Sequence, residues 1–163
     1  MKKILFVCYG NICRSPAAEG IFNHLVANSD QLILAAADSA GTHDFHVGKH
    51  PDVRSVKAAA RMGINLTDLR ASQVCAQDFH DYDWLVAMDQ HNIECLREIG
   101  PQSQWHKILP MADFHPNPNY QFVPDPFRGD RDDFDLMFES MWTMVGRMLE
   151  LLAEQPVAEI EYV

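Results

Sequence analysis

The sequence predicts a single α/β domain, a four-stranded parallel sheet doubly wound with helices on both faces. Three observations carry that expectation. Apolar runs without alternation, Ile4-Leu5-Phe6-Val7 and Trp84-Leu85-Val86-Ala87-Met88, read as strands buried on both faces. Helical segments stand between the strands, the alternation that winds a parallel sheet through right-handed crossovers. The chain has 163 residues, 47% hydrophobic and 22% charged, which is enough for one core and gives no case for disorder. No linker or internal repeat divides it, so residues 1–163 are expected to form one domain.

The elements follow in order. Ile4 to Val7 is the first strand, and a polar loop leads into a helix from Ser15 to Val26. Pro16 near its start, Glu19 in its first turn and apolar Ile21, Phe22, Leu25 and Val26 mark that helix as amphipathic. Leu32 to Ala37 reads as the second strand, ending at Asp38-Ser39-Ala40-Gly41, and Arg54 to Met62 as a helix closed by Gly63. Trp84 to Met88 is the third strand, followed by a helix from Asp89 to Ile99 that Gly100-Pro101 stops. A short fourth strand is expected at Lys107 to Leu109. Phe114 to Pro126, with four prolines, reads as a loop, and Asp130 to Glu154 as a long terminal helix with Phe134, Met137, Phe138, Met141, Val145, Met148, Leu149 and Leu152 on its packing side.

The formal net charge is −10, which speaks against a diffuse basic surface that clamps nucleic acid or anionic membrane. The imbalance is uneven: residues 1–61 carry +2, residues 62–124 carry −5 and residues 125–163 carry −7. An anionic ligand must therefore be drawn by a local field. No run approaches the roughly 18 apolar residues of a membrane span. The four apolar residues after Lys2-Lys3 are too few and too bulky for an export leader, so a cytoplasmic protein without membrane insertion is expected. Cys8, Cys13, Cys75 and Cys95 then read as thiols, with no zinc-type spacing among them.

In an open α/β sheet the ligand sits at the carboxyl ends of the strands, which places function in Cys8-Tyr9-Gly10-Asn11-Ile12-Cys13-Arg14-Ser15. The loop enters a helix N-terminus, where unpaired N–H groups and the positive end of the dipole favour an anion. Gly10 is expected to let the backbone curl into a nest of amides, and Arg14 offers a planar fork for a phosphate. Cys8 lies at the bottom of this cup, where dipole, amides and Arg14 all support a thiolate, and Ser15 can donate to its sulfur. A thiolate beneath a bound phosphate is placed for in-line attack and a covalent phosphocysteine. The amides and Arg14 would stabilise the transition state, so neither metal nor cofactor is required.

Cys8-X-Gly10-Asn11-Ile12-Cys13-Arg14-Ser15-Pro16 resembles the signature loop of the low-molecular-weight protein tyrosine phosphatases. The resemblance extends in order through Asp38-Ser39-Ala40-Gly41-Thr42, His46-Val47-Gly48-Lys49 with Asp52 and Arg54, Ala87-Met88-Asp89 and Asp125-Pro126-Phe127, across most of the chain. It implies the phosphotyrosine phosphatase I-like fold and a phosphotyrosine-containing protein as substrate, and nothing in it calls for an oligomer. It assigns Asp125 as general acid and then base, where the bare sequence would also allow an ordinary Asp-Pro turn. It assigns Asn11 and Ser39 to a network that holds the loop. Tyr9, Ile12, Phe45 and Phe127 are the expected apolar rim around the aromatic ring of the substrate. Ile12 favours tyrosine, because relatives with Thr at that place resemble protein arginine phosphatases. Cys13 is either the partner of a reversible disulfide that shields Cys8 or a small filler under the loop.

Two departures stand out. Phe127-Arg128 occupy the place where the family often has two tyrosines, which excludes regulation by their phosphorylation and leaves Arg128 to select acidic residues near the phosphotyrosine. Ser72 stands where relatives frequently show an arginine, which leaves the loop support there in question. A metal reading of His43, His46 and His50 is not favoured, because no Asp/Glu/His set at i, i+4 on a predicted helix accompanies them. Two alternatives compete: an arsenate reductase of the same fold, which needs a cysteine relay through residues such as Cys75 and Cys95, and a non-catalytic phosphotyrosine-binding module.

Overall fold

The computed structural model describes residues 1–154, so residues 155–163 of the expected domain lie outside the described residues. Four parallel strands form one sheet: β1 (Lys2–Cys8), β2 (Ala35–Gly41), β3 (Trp84–Ala87) and β4 (Ile108–Pro110), in the order β2-β1-β3-β4. Five α-helices connect and cover them: α1 (Arg14–Ala27), α2 (Val53–Arg61), the single turn α3 (Asp78–Asp81), α4 (Gln90–Ile99) and α5 (Arg131–Ala153). Two 3-10 turns, Gln102–Lys107 and Met111–Phe114, flank β4.

β1 lies between two neighbours and is buried on both faces, which explains its unalternating sequence. Ile4, Phe6 and Cys8 join the larger core with Ile21 and Phe22 of α1 and Phe134, Phe138 and Met141 of α5. Leu5 and Val7 point the other way, into a smaller core with Phe79, Ile93 and Leu96. The single-domain α/β architecture with helices on both faces is as the sequence predicts.

The second strand differs from expectation. It starts at Ala35, and Leu32 and Leu34 are exposed at 78% and 48%. The parallel register pairs Lys2 with Ala35 and Cys8 with Gly41, so β2 ends level with the end of β1. Small alanines fit an edge strand packed under α1, whereas the leucines before it have no layer to enter. Glu19 is a second difference: α1 begins at Arg14, which moves Glu19 out of the first turn and into the interior, 9% exposed.

Helix starts are set by aspartates. Asp52, Asp89 and Asp130 each accept from a first-turn amide of α2, α4 and α5, and Asp130 and Asp133 form a reciprocal capping box. Cys13, the residue that precedes α1, provides no side-chain cap. No helix of the described residues is long and apolar enough to cross a membrane.

Candidate active site

The loop from Cys8 to Arg14 leaves the carboxyl end of β1 beside the point where successive connections run to opposite sides, between β1 and β3. Neighbouring backbone engages its carbonyls. Thr42 N–H donates to Cys8 O at 2.9 Å, His43 N–H to Tyr9 O at 3.0 Å and Asp52 N–H to Ile12 O at 2.8 Å. With these three carbonyls occupied and α1 uncapped, the amides of the loop and first helical turn remain for an anion.

The left-handed residue of the loop is Asn11, with φ 55°, and Gly10 has no positive φ. The nest therefore turns at Asn11, and the expectation that Gly10 supplies the turn is corrected. Gly10 instead leaves room for the His46 ring, which a Cβ there would meet at 2.9 Å. Gly41 likewise permits the end of β2 to pass under the loop, where a Cβ would lie 2.9 Å from Tyr9 O and 3.0 Å from Asn11 N.

A left-handed asparagine costs on the order of 1 kcal/mol and persists where the surroundings over-determine it. Here the surroundings do so. Asn11 Nδ2 donates to Ser15 Oγ at 2.8 Å and to Ser39 Oγ at 2.9 Å, and its Oδ1 accepts from the Ser72 backbone N–H at 2.9 Å. The support at position 72 thus includes a main-chain amide, which any residue there can offer, and the Ser72 hydroxyl donates to Ser39 O at 3.3 Å. Ser15 Oγ lies 3.0 Å from Cys8 Sγ, and Ser39 Oγ donates to Glu19 Oε2 at 2.5 Å. A continuous chain of polar groups joins Cys8 to Glu19.

Burial pushes the Glu19 carboxyl up to about 7, and nearby Asp38 adds to the rise while the Ser39 hydroxyl opposes it. A carboxyl with a raised folded-state value stabilises the fold fully below its ordinary range, and that contribution fades as pH rises through about 7. The span from 4.5 to about 7 corresponds to about 3 kcal/mol. Glu19→Gln is expected to remove this pH-dependent contribution. The gap between wild-type and variant ΔG of unfolding should shift in favour of the variant between pH 5 and pH 8, measured by urea denaturation. A gap independent of pH would contradict this account of Glu19.

Arg14 is 2% exposed. Its Nη1 donates to Asp89 Oδ2 at 2.6 Å and to Val123 O at 2.9 Å, and its Nη2 lies 3.6 Å from Asp125 Oδ2. Burial works against its charge, but Cys8, Asp89 and Asp125 outweigh burial and hold the guanidinium firmly protonated. Asp89 both caps α4 and fixes this fork, a role that reading the sequence did not assign. Its only signals were its place at the end of β3 and its membership of the family pattern.

Cys8, Tyr9, Gly10, Ile12, Cys13, Arg14, Asp125, Phe127 and Arg128 line one cleft of about 360 Å³ together with His46, which the sequence reading weighed only as a metal ligand and as part of the family pattern. Phe45 lies outside that lining, 63% exposed, with its ring stacked 6.2 Å from that of Tyr9. It backs the wall and does not form it. Asp125 Oδ1 accepts from Phe127 N–H at 3.1 Å, an Asx turn that sets the carboxyl at the mouth beside Arg14. Arg54 steadies this loop: it forks onto Asp52 at 2.8 Å, stands over the rings of Phe127 and Phe134 at 5.5 and 4.5 Å, and reaches Gly129 O.

Cys8 and Cys13 are free, buried thiols. Burial, with Asp52, Cys8 and Asp125 adding to it, pushes the Cys13 thiol far up. The three histidines of the metal reading do not converge: His46 is in the cleft, His50 sits at Thr67 O and His43 faces His91.

Comparison with known proteins agrees with this arrangement. The family model for low molecular weight phosphotyrosine protein phosphatase matches residues 3–159. The low molecular weight protein-tyrosine-phosphatase YfkJ of Bacillus subtilis is 39% identical over 127 residues, 78% of this chain and 81% of that protein. The low molecular weight phosphotyrosine protein phosphatase of Sus scrofa is 35% identical over 140 residues, 85% of this chain and 87% of that protein. The crystal structure of a protein tyrosine phosphatase from Entamoeba histolytica superposes with a TM-score of 0.88 at 33% identity, covering 94% of this chain and 98% of that one. Matched by the family model over nearly its whole length, the chain belongs to the low molecular weight phosphotyrosine protein phosphatase family.

Proposed function

We propose that this protein hydrolyses phosphotyrosine in protein substrates, and small aryl phosphates, through a phosphocysteine on Cys8. The observation that carries the reading is the placement of Cys8, Arg14 and Asp125 in one cleft, with Asp125 Oδ2 3.6 Å from the Arg14 fork. The phosphate sits on the loop amides and Arg14, and the aromatic ring lies between Tyr9, Ile12 and Phe127. Cys8 Sγ attacks phosphorus as the P–O bond to the phenolic oxygen breaks, and Asp125 gives that oxygen its proton. Water then attacks the phosphocysteine while the Asp125 carboxylate takes a proton from it. The S–P bond breaks, the electron pair returns to sulfur, and the Ser15 hydroxyl donates to the departing thiolate. Arg128 at the mouth adds positive charge for acidic residues that flank the phosphotyrosine. Neither Cys75 nor Cys95 lines the cleft, which favours this chemistry over an arsenate relay.

The testing experiment is hydrolysis of phosphotyrosine, phosphoserine and phosphoarginine peptides with EDTA present, where turnover confined to phosphotyrosine is expected. Preference for phosphoarginine would overturn the substrate assignment. Asp125→Asn is expected to slow phenyl phosphate by about 10²-fold or more, the scale of general acid catalysis. It should slow p-nitrophenyl phosphate much less, because nitrophenolate leaves without a proton. Equal losses on both substrates would remove Asp125 from the proton-donor role.

A further inference from the structure

Behind the Tyr9 wall, on the surface of α4, three side chains that can ligate a metal meet. His91 and Cys95 are one turn apart on the helix, and His43 reaches them from the turn after β2. His43 Nε2 lies 3.2 Å from His91 Nε2, and Cys95 Sγ lies 3.6 Å from His91 Nε2. One ligand atom from each of the three falls within 4.8 Å of the others. A tetrahedral zinc ion with bonds of roughly 2.0–2.3 Å separates its ligand atoms by roughly 3.3–3.6 Å. Two of the three separations therefore already match, and the third closes with a small rotamer adjustment.

We propose that His43, His91 and Cys95 form a binding site for a transition-metal ion of the zinc class, distinct from the phosphate cleft. Two imidazoles and a thiolate select Zn²⁺, Co²⁺ or Cu⁺ over Mg²⁺ and Ca²⁺, which prefer oxygen. The three side chains are exposed or half-buried, so an ion has a path in, and a water molecule completes the fourth position. Asp89, Glu94 and Glu98 supply negative charge nearby, which suits a dication. Cys95 binds as thiolate and releases its proton to solvent. The spacing escapes a search restricted to Asp, Glu and His at i, i+4, because one member of the helical pair is a cysteine. The ion would join the turn after β2 to α4, and the His43 ring at the junction packs 4.0 Å from the ring of Tyr9.

The test is a titration of the reduced, metal-free full chain with Co²⁺. A near-ultraviolet thiolate-to-cobalt band and intense tetrahedral visible bands, saturating at one equivalent and displaced by Zn²⁺, are expected in the wild type and in Cys8→Ser. Cys95→Ser should abolish the thiolate band, and His91→Ala should weaken binding by at least about tenfold, with both variants folded by circular dichroism. A band that survives Cys95→Ser but disappears in Cys8→Ser would assign the metal to the catalytic thiol and overturn the proposal. So would the absence of any band in the wild type.

Discussion

Cys8→Ser is expected to lower kcat on p-nitrophenyl phosphate by at least about 10⁴-fold while leaving phosphate affinity within a few-fold of wild type. The two halves of this result have separate causes. Turnover requires a nucleophile that is ionised beneath the bound phosphate, and a serine hydroxyl at neutral pH is not. Binding rests on groups that the substitution leaves in place: the uncapped amides at the start of α1 and the Arg14 fork held by Asp89 and Val123 O. Serine also fits. Cys8 is 3% exposed and its sulfur meets the Ser15 hydroxyl at 3.0 Å, a contact that an oxygen can keep as a hydrogen bond.

The measurement is kcat beside the inhibition or dissociation constant of inorganic phosphate, the latter by calorimetry. Unchanged turnover in Cys8→Ser would remove the phosphocysteine. Phosphotyrosine binding with no turnover in the wild type would point to the binding-module alternative. A parallel loss of binding and turnover would mean that Cys8 holds the loop in shape, contrary to the network through Asn11.

How much of this was legible in the sequence depends on whether the signal was local. β1 could be read directly because burial on both faces removes polar residues from the strand itself. The cup could be read because its parts, Cys8, Gly10, Arg14 and the helix start, lie within one turn of chain. The start of β2 reads too early in the sequence because apolar Leu32 and Leu34 outweigh Ala35 to Gly41 in composition, and only the register with β1 decides between them. Asp89 was passed over for the same kind of reason. In sequence it is a helix cap, and its second duty appears only when Arg14, 75 residues away, is brought against it. A separation of 61 residues hides the use of the Ser72 backbone by Asn11, since no side chain reports a main-chain amide. Glu19 shows the reverse error: the one-dimensional rule that puts acids in first turns is true on average, yet this glutamate is buried to hold Ser39.

Arg14→Lys is expected to lower kcat/KM by about 10²–10³-fold, with the protein folded and Cys8 in place. The argument turns on geometry, because the charge is conserved. Arg14 serves two sets of partners at once: Nη1 is committed to Asp89 Oδ2 at 2.6 Å and Val123 O at 2.9 Å, and the rest of the fork faces the cleft. A lysine ammonium is a single point with no fixed plane. Placed next to Asp89 it satisfies that carboxylate and withdraws from the phosphate. Placed on the phosphate it leaves Asp89 without its partner.

Arginine to alanine is the less informative change, since it empties a volume that is 2% exposed and strands a carboxylate, so lost stability would be mixed with lost chemistry. With lysine, the diagnostic comparison is between phosphate, a tetrahedral anion, and vanadate, which imitates the trigonal bipyramid of the transition state. Vanadate affinity should fall more than phosphate affinity, because the equatorial oxygens that develop in transfer are the ones the fork matches. Equal losses for both anions would mean that Arg14 contributes only attraction, and near-wild-type turnover would show that the bidentate fork is dispensable.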